Sequence, residues 1–198
     1  MNINPNWLSA IANIVVAGSI IIIFKQLKSD HDRSRRERAI ELIGSWARNM
    51  KQGSTAARKL VETFSMEQAK SLFRQEPFDI ESKYLNLLNA ALEEDIDKGK
   101  ADKICLNESI SSELRWVVVS YLNNLEAILA AWRHNVADKN MIEEQFSYLV
   151  SQADGHYILE QFRKAAGGID SYPATDEFVT HIKKSKDTKT AGKIKIAS

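Results

Sequence analysis

The longest uninterrupted apolar stretch of the chain lies close to its amino terminus. Residues 7–24 carry no formal charge and end in four isoleucines followed by Phe24. Eighteen helical residues rise about 27 Å, which approaches the bilayer hydrocarbon thickness of about 30 Å. The pattern predicts one membrane-spanning helix, with Trp7 at one interface and Lys25 and Lys28 at the other.

A cleaved signal peptide and a helix buried in a soluble core are the alternatives to a membrane span. A signal peptide carries basic residues before its apolar run and a small-residue cleavage site after it. Residues 1–6 contain neither Lys nor Arg, and Lys25 follows the run directly. The unbroken isoleucines beside basic residues also argue against a buried core helix. We therefore expect a retained span.

The basic residues near the span are confined to its carboxyl side. By the positive-inside rule, the amino terminus is expected to lie outside and the rest of the chain to face the cytoplasm. Cys105 is the only cysteine, which suits a reducing compartment and excludes an intramolecular disulfide.

One stripe of the span combines polar and apolar residues at helical spacing. Asn13 is its informative member, because an unpaired amide is costly in hydrocarbon and hydrogen bonds between helices relieve that cost. An asparagine merely tolerated near the interface is the alternative. The stripe predicts a homo-oligomer, for example a tetramer, whose spans line a pore with an apolar inner constriction. The predicted pore or interface residues are Ser9, Asn13, Val16, Ala17, Ile20 and Phe24.

After the span, apolar residues recur at the three-and-four spacing of helices, and no stretch alternates with period two. The widest apolar face falls on residues 110–134. No proline follows the span before Gly53, so the span is expected to continue into a long helix. The chain is predicted to be all-α, with a transmembrane helix (1–28), a cytoplasmic bundle of about five to seven helices (29–182) and a Lys-rich tail (183–198).

Capping residues predict where several of these helices begin. Ser65 followed by Gln68 forms a capping-box pattern. Asp79 is expected to cap a helix over 80–97, and Asp138 the helix after the long apolar one. Pro173 is expected to open a last short helix through Phe178 and Ile182.

Charge is unevenly distributed although the net charge is only +1. Residues 25–38 carry a net +3, residues 183–198 a net +5, and the rest of the chain −7. Basic segments of this kind can be solvated surface, or can attract anionic lipid or nucleic acid. The residues predicted to bind a polyanion are Arg33, Arg35, Arg36, Arg38, Lys183, Lys184, Lys186 and Lys189.

Residues typical of catalysis or cofactor binding are scarce. The four histidines are far apart in sequence, and none has a metal-binding spacing. The sequence contains neither a phosphate-binding loop nor a nucleophile elbow. We therefore predict that the protein is not an enzyme and holds no metal or cofactor.

The segment Tyr121-Leu122-Asn123-Asn124-Leu125-Glu126-Ala127-Ile128 leads through Asp138 into a further helix, and the segment from Arg36 to Ile43 lies upstream. This arrangement resembles a bacterial family of unknown function in which one amino-terminal span precedes a small helical domain. Asn123 and Glu126 can equally be ordinary polar edges of a core helix.

The same architecture is similar to membrane effectors of anti-phage defence operons, among them the channel effector of the Hailong system. That resemblance implies an oligomeric channel held shut by single-stranded DNA, which a partner nucleotidyltransferase makes. The leading hypothesis is therefore a regulated channel or membrane-depolarising effector. A membrane-tethered adaptor that binds a protein partner through its cytoplasmic helices is the alternative.

Overall fold

A computed structural model describes the backbone of residues 5–96, 102–151 and 156–196, and the side chains of 19–20, 22–96, 102–150 and 157–187. Within these ranges the chain forms eight α-helices and four short β-strands. The helices are α1 (Pro5–Asn49), α2 (Ser54–Val61), α3 (Met66–Arg74), α4 (Leu85–Leu92), α5 (Glu108–Arg133), α6 (Lys139–Phe146), α7 (Glu160–Ala165) and α8 (Pro173–Ile196). The strands are β1 (Phe78–Glu81), β2 (Lys103–Leu106), β3 (Val150–Ser151) and β4 (His156–Tyr157). The predicted all-α class is confirmed, since the protein is mostly helical.

Helix α5 is the centre of the core, and α1, α2, α3, α4, α6 and α8 all pack against it. Asn107 begins the helix, because its side chain accepts a hydrogen bond from the Ile110 backbone N–H. This confirms the helix predicted over 110–134. Its buried face comprises Ser111, Leu114, Val117, Val118, Tyr121, Leu122, Leu125, Ile128, Leu129 and Trp132.

Helix α1 joins the apolar run and the domain without a break. Its described side chains are exposed from residue 19 to residue 31, whereas Ala39 and Trp46 are buried. The Trp46 ring packs edge-on against Tyr121 of α5 at 5.1 Å and against Phe146 of α6 at 5.5 Å between ring centroids. The carboxyl-terminal third of α1 therefore belongs to the core.

Two of the predicted caps are confirmed. Ser65 and Gln68 form a reciprocal capping box at the start of α3. Asp138 begins α6 by accepting a hydrogen bond from the Met141 backbone N–H at 3.2 Å. In both cases the residues that make the cap lie within one helical turn, so the local pattern is sufficient to identify them.

The cap predicted at Asp79 is wrong. Asp79 lies in β1, which pairs antiparallel with β2 and places Asp79 opposite Cys105. Ile80 points into the core and is 2% exposed. Helix α4 begins only at Leu85, after a 3-10 turn over Ser82–Tyr84. Pairing with a strand more than twenty residues later overrides the local helical signal.

A second strand pair, β3 with β4, precedes α7 and ends in a strained turn. Ile158 and Leu159 both have positive φ, at 55° and 58°, a conformation that is costly for a β-branched residue. The buried guanidinium of Arg163 donates to the Ile158 carbonyl oxygen at 2.7 Å and to that of Tyr157 at 2.9 Å. It also pairs with Asp176 of α8. Arg163 therefore holds the turn and α8 together.

Substitution of Gly53 tests the contact between the α1–α2 connection and α4. A Cβ atom at this position would overlap the carbonyl group of Ala91. We expect Gly53→Ala to lower the free energy of unfolding by about 1–3 kcal/mol. Gly44→Ala is the control, since its Cβ would meet only the flexible Arg48 side chain and alanine favours a helix interior by about 0.5–1 kcal/mol. Urea denaturation that finds both variants equally stable would contradict this role.

Candidate membrane-proximal site

The described part of α1 that precedes the domain exposes several large apolar side chains. Ile20, Ile22, Ile23, Phe24 and Leu27 have exposed fractions of 47–68%. Successive helical residues are about 100° apart, so Ile20 and Ile22 lie on nearly opposite faces. Ile23, Phe24 and Leu27 lie within about 60° of Ile20, so most of the exposed apolar side chains share one stripe. Such a stripe suits contact with lipid or with another helix.

Among the side chains that the structure describes, no helix is long and apolar enough to cross a membrane. Most of the predicted span, and with it Ser9, Asn13, Val16 and Ala17, falls on side chains outside the described ones. Of the other two predicted pore residues, Ile20 is 47% exposed and Phe24 is 68% exposed. The span and its pore stripe therefore stay predictions.

Three of the four predicted polyanion-binding arginines of α1 are paired with carboxylates. Ion pairs as exposed as these contribute only about 0–1 kcal/mol each. An external anion could therefore replace the carboxylate partner at little cost. The hydrogen bond that Arg33 donates to the Glu37 carboxylate raises the pKa of Arg33 above its usual value, so this side chain stays charged. The pairs are Arg33–Glu37 at 2.8 Å, Arg38–Glu41 at 2.6 Å and Arg36–Asp138 at 3.6 Å.

Arg35, the fourth arginine, lies where α1 meets the turn between α5 and α6. Its carbonyl oxygen accepts a hydrogen bond from the Asp138 backbone N–H at 3.0 Å. Arg36 contacts the Asp138 carboxylate, so backbone and side chain of one residue both hold α1. These two contacts with Asp138, which we call the joint, fix the direction in which α1 leaves the domain. The joint lies about 16 Å along the helix from Phe24.

The predicted tail lysines lie on α8, which is longer than the sequence pattern indicated. The helix was expected to end near Ile182, but its backbone continues to Ile196. Lys184 is exposed, and the side chain of Lys189 lies outside the described ones.

Two of these lysines contact the domain itself. The Lys183 ammonium lies 3.4 Å from the centroid of the Tyr157 ring. Lys186 donates to the carbonyl oxygens of Ser147 and Val150. These contacts involve the segment that follows α6, whereas Arg35 and Arg36 of α1 contact the turn before it. The two basic groups are therefore held by different parts of the domain.

Glu126 has a structural role that the sequence pattern did not reveal. Its carboxylate accepts hydrogen bonds from the backbone N–H groups of Ala174 and Thr175, at 2.8 and 2.9 Å, and from the Thr175 hydroxyl at 2.7 Å. Glu126 thus caps α8, the helix that carries the lysines. One signal was present, because Tyr172 precedes Pro173 and tyrosine has no side-chain acceptor suited to an N-cap.

We expect Glu126→Ala to lower the free energy of unfolding by about 1–3 kcal/mol, because it leaves donors at the start of α8 without their partner. Glu113→Ala is the matched control on α5. Glu113 is exposed, and surface substitutions of this kind stay within about 0.5 kcal/mol. Equal thermal midpoints for the two variants would show that Glu126 does not anchor α8.

Comparison with protein-family models, with curated proteins and with solved structures finds no match for this chain. Within the described ranges, no group of three or more His, Cys, Asp or Glu side chains could hold a metal ion. The site is therefore characterised by its own geometry, an exposed apolar helix followed by basic residues and a fixed joint.

Proposed function

We propose that this chain is a membrane-anchored homo-oligomer of the bacterial inner membrane that acts as a regulated channel or depolarising effector in anti-phage defence. The observation that carries the proposal is the continuity of α1. One helix of 45 residues includes both the apolar run and the core residues Ala39 and Trp46.

The exposed apolar side chains of α1 support the anchor. Burying a large aliphatic or aromatic side chain contributes about 1.5–3 kcal/mol, and five such side chains are exposed between Ile20 and Leu27. Four of the five share one stripe and Ile22 lies on nearly the opposite face, and lipid can cover both. The basic residues after Phe24 favour a cytoplasmic domain.

The joint at Arg35 supports control of the membrane segment by the domain. An α-helix without proline is stiff, and α1 contains no proline after Pro5. A movement at Trp46 or at the α5–α6 turn would therefore tilt or rotate the apolar segment. A cytoplasmic polyanion such as single-stranded DNA, supplied by an operon-encoded nucleotidyltransferase, is the proposed regulator. The exposed arginine pairs of α1 would bind it by exchanging their carboxylate partners for phosphate.

The anchor is tested by placing charges in the apolar segment of the full chain. Each acidic residue in a membrane-spanning helix costs up to about 3.5 kcal/mol, so Ile20→Asp with Ile23→Asp should release the protein from membranes during carbonate extraction. The control is Ile40→Asp with Ile169→Asp, which changes two equally exposed isoleucines elsewhere and should leave the protein in the pellet. If both double variants stay in the membrane pellet, the apolar segment of α1 is not the membrane anchor.

The channel is tested by conductance in planar bilayers together with oligomeric mass in detergent. Asn13→Leu should shift the protein toward smaller species, since hydrogen bonds between membrane helices contribute only about 0.6–2 kcal/mol each. Ile20→Asn should raise leak by wetting the constriction, whereas Ile22→Asn, on nearly the opposite face, should not. A parent protein that is monomeric and does not conduct would contradict the channel.

That outcome would favour a membrane-tethered adaptor. The observation behind this second candidate is the exposure of large apolar side chains on the domain itself. Val136 is 54% exposed, Tyr148 62% and Ile169 66%. Such residues can contact a protein partner, although single exposed apolar side chains are common on monomers.

A further inference from the structure

A polar pocket of about 370 Å³ lies where the end of α1, the start of α2 and the middle of α5 meet. This volume lies within the range of about 300–1,000 Å³ that is usual for small-molecule sites. The pocket is lined by Lys51, which precedes α2, and by Ser54, the first residue of α2. Helix α5 contributes Ser120, Tyr121, Asn123 and Asn124.

Several polar groups of this pocket have no partner within the protein. Ser54 and Tyr121 are each only 3% exposed, yet neither hydroxyl makes a hydrogen bond to any residue that the structure describes. The same holds for the side chains of Ser120, Asn123 and Asn124 within the described ranges. Among the described residues, the one fully buried side-chain polar atom without a partner is Arg115 Nε, so both hydroxyls keep some access to solvent. Burial also raises the pKa of Tyr121, so its hydroxyl is neutral and can donate.

The charge of the pocket indicates an anionic ligand. Lys51 is its charged lining residue, and no carboxylate of the described residues lines it. The Lys51 ammonium lies 5.6 Å from the centroid of the Trp116 ring. Trp116 is 59% exposed and lies one helical turn before Ser120 on the same face of α5. An exposed indole beside a cation is suited to a planar ring that carries a negative group.

We infer that this pocket binds an adenine mononucleotide. The base stacks on Trp116, and an asparagine amide donates to N7 and accepts from the N6 amino group of adenine, which is its usual pairing. Lys51 binds the phosphate, and Ser54 offers its hydroxyl group to the ribose or phosphate. Asn49, the last residue of α1, also lines the pocket. A regulatory effect through α1 rests on the proposed function, whereas binding itself does not.

The test is titration calorimetry of the full chain in detergent micelles with adenosine 5′-monophosphate. We expect one site per subunit. Ser54→Ala should weaken binding about tenfold, the equivalent of about 1.4 kcal/mol, while the thermal midpoint without ligand stays unchanged, because the hydroxyl bonds nothing inside the described protein. Trp116→Leu should weaken binding further. Inorganic phosphate at the same concentration should not compete.

Asn124→Ala is paired with the control Asn86→Ala, which changes an exposed asparagine of α4 that does not line the pocket. Only the first should reduce affinity. No binding at millimolar nucleotide would overturn the inference, as would equal affinities for all variants or binding of a deoxyadenylate oligonucleotide alone. If the chain binds the nucleotide but does not conduct, the nucleotide site is supported and the channel function is contradicted. Failure of the site and failure of the proposed function are therefore distinguishable.

Discussion

Burial of one wide face of α5 is the constraint on which the rest of the structure depends. Its ten buried residues extend from Ser111 to Trp132, so the helices around it share a single surface. Fully burying each large apolar side chain contributes about 1.5–3 kcal/mol, which makes α5 the principal source of stability. Glu126, at the edge of this face, contributes directional hydrogen bonds that cap α8 and fix where that helix begins. Packing thus sets which helices meet, and a few buried polar contacts set how they are aligned.

The carboxyl-terminal third of α1 is part of this arrangement, and its apolar beginning is not. Trp46 packs between Tyr121 and Phe146, while the side chains described from residue 19 to residue 31 contact solvent. An apolar segment that leaves the domain on a stiff helix cannot fold back to bury itself. Its side chains need either lipid or other chains around them. The backbone bond between Asp138 and Arg35 then fixes the angle at which the segment meets that environment.

Local patterns predicted the elements whose determinants are local. The periodic face of α5, the capping box at Ser65 and the cap at Asp138 all depend on residues within a few turns of one another. Asp79 was misassigned because β1 is stabilised by pairing with β2, a segment that follows α4 in the sequence. Arg163 and Ser54 could not be identified at all, since their importance comes from burial among distant elements. The arginines of α1 were singled out by charge and their binding of a polyanion stays a prediction. Their carboxylate partners and the contact with Asp138 required the tertiary structure.

The proposed channel would need a homo-oligomer for its regulation as well as for its pore. A ligand shifts a conformational equilibrium only by its difference in affinity for the two states. Moving a channel from about 1% to about 99% open takes about 5.5 kcal/mol, whereas one site commonly supplies only about 1–3 kcal/mol of coupling. In a tetramer whose subunits move together, about 1.4 kcal/mol from the regulatory site of each subunit would suffice. A single subunit could neither enclose a pore nor reach that sum, so the same assembly would satisfy both requirements.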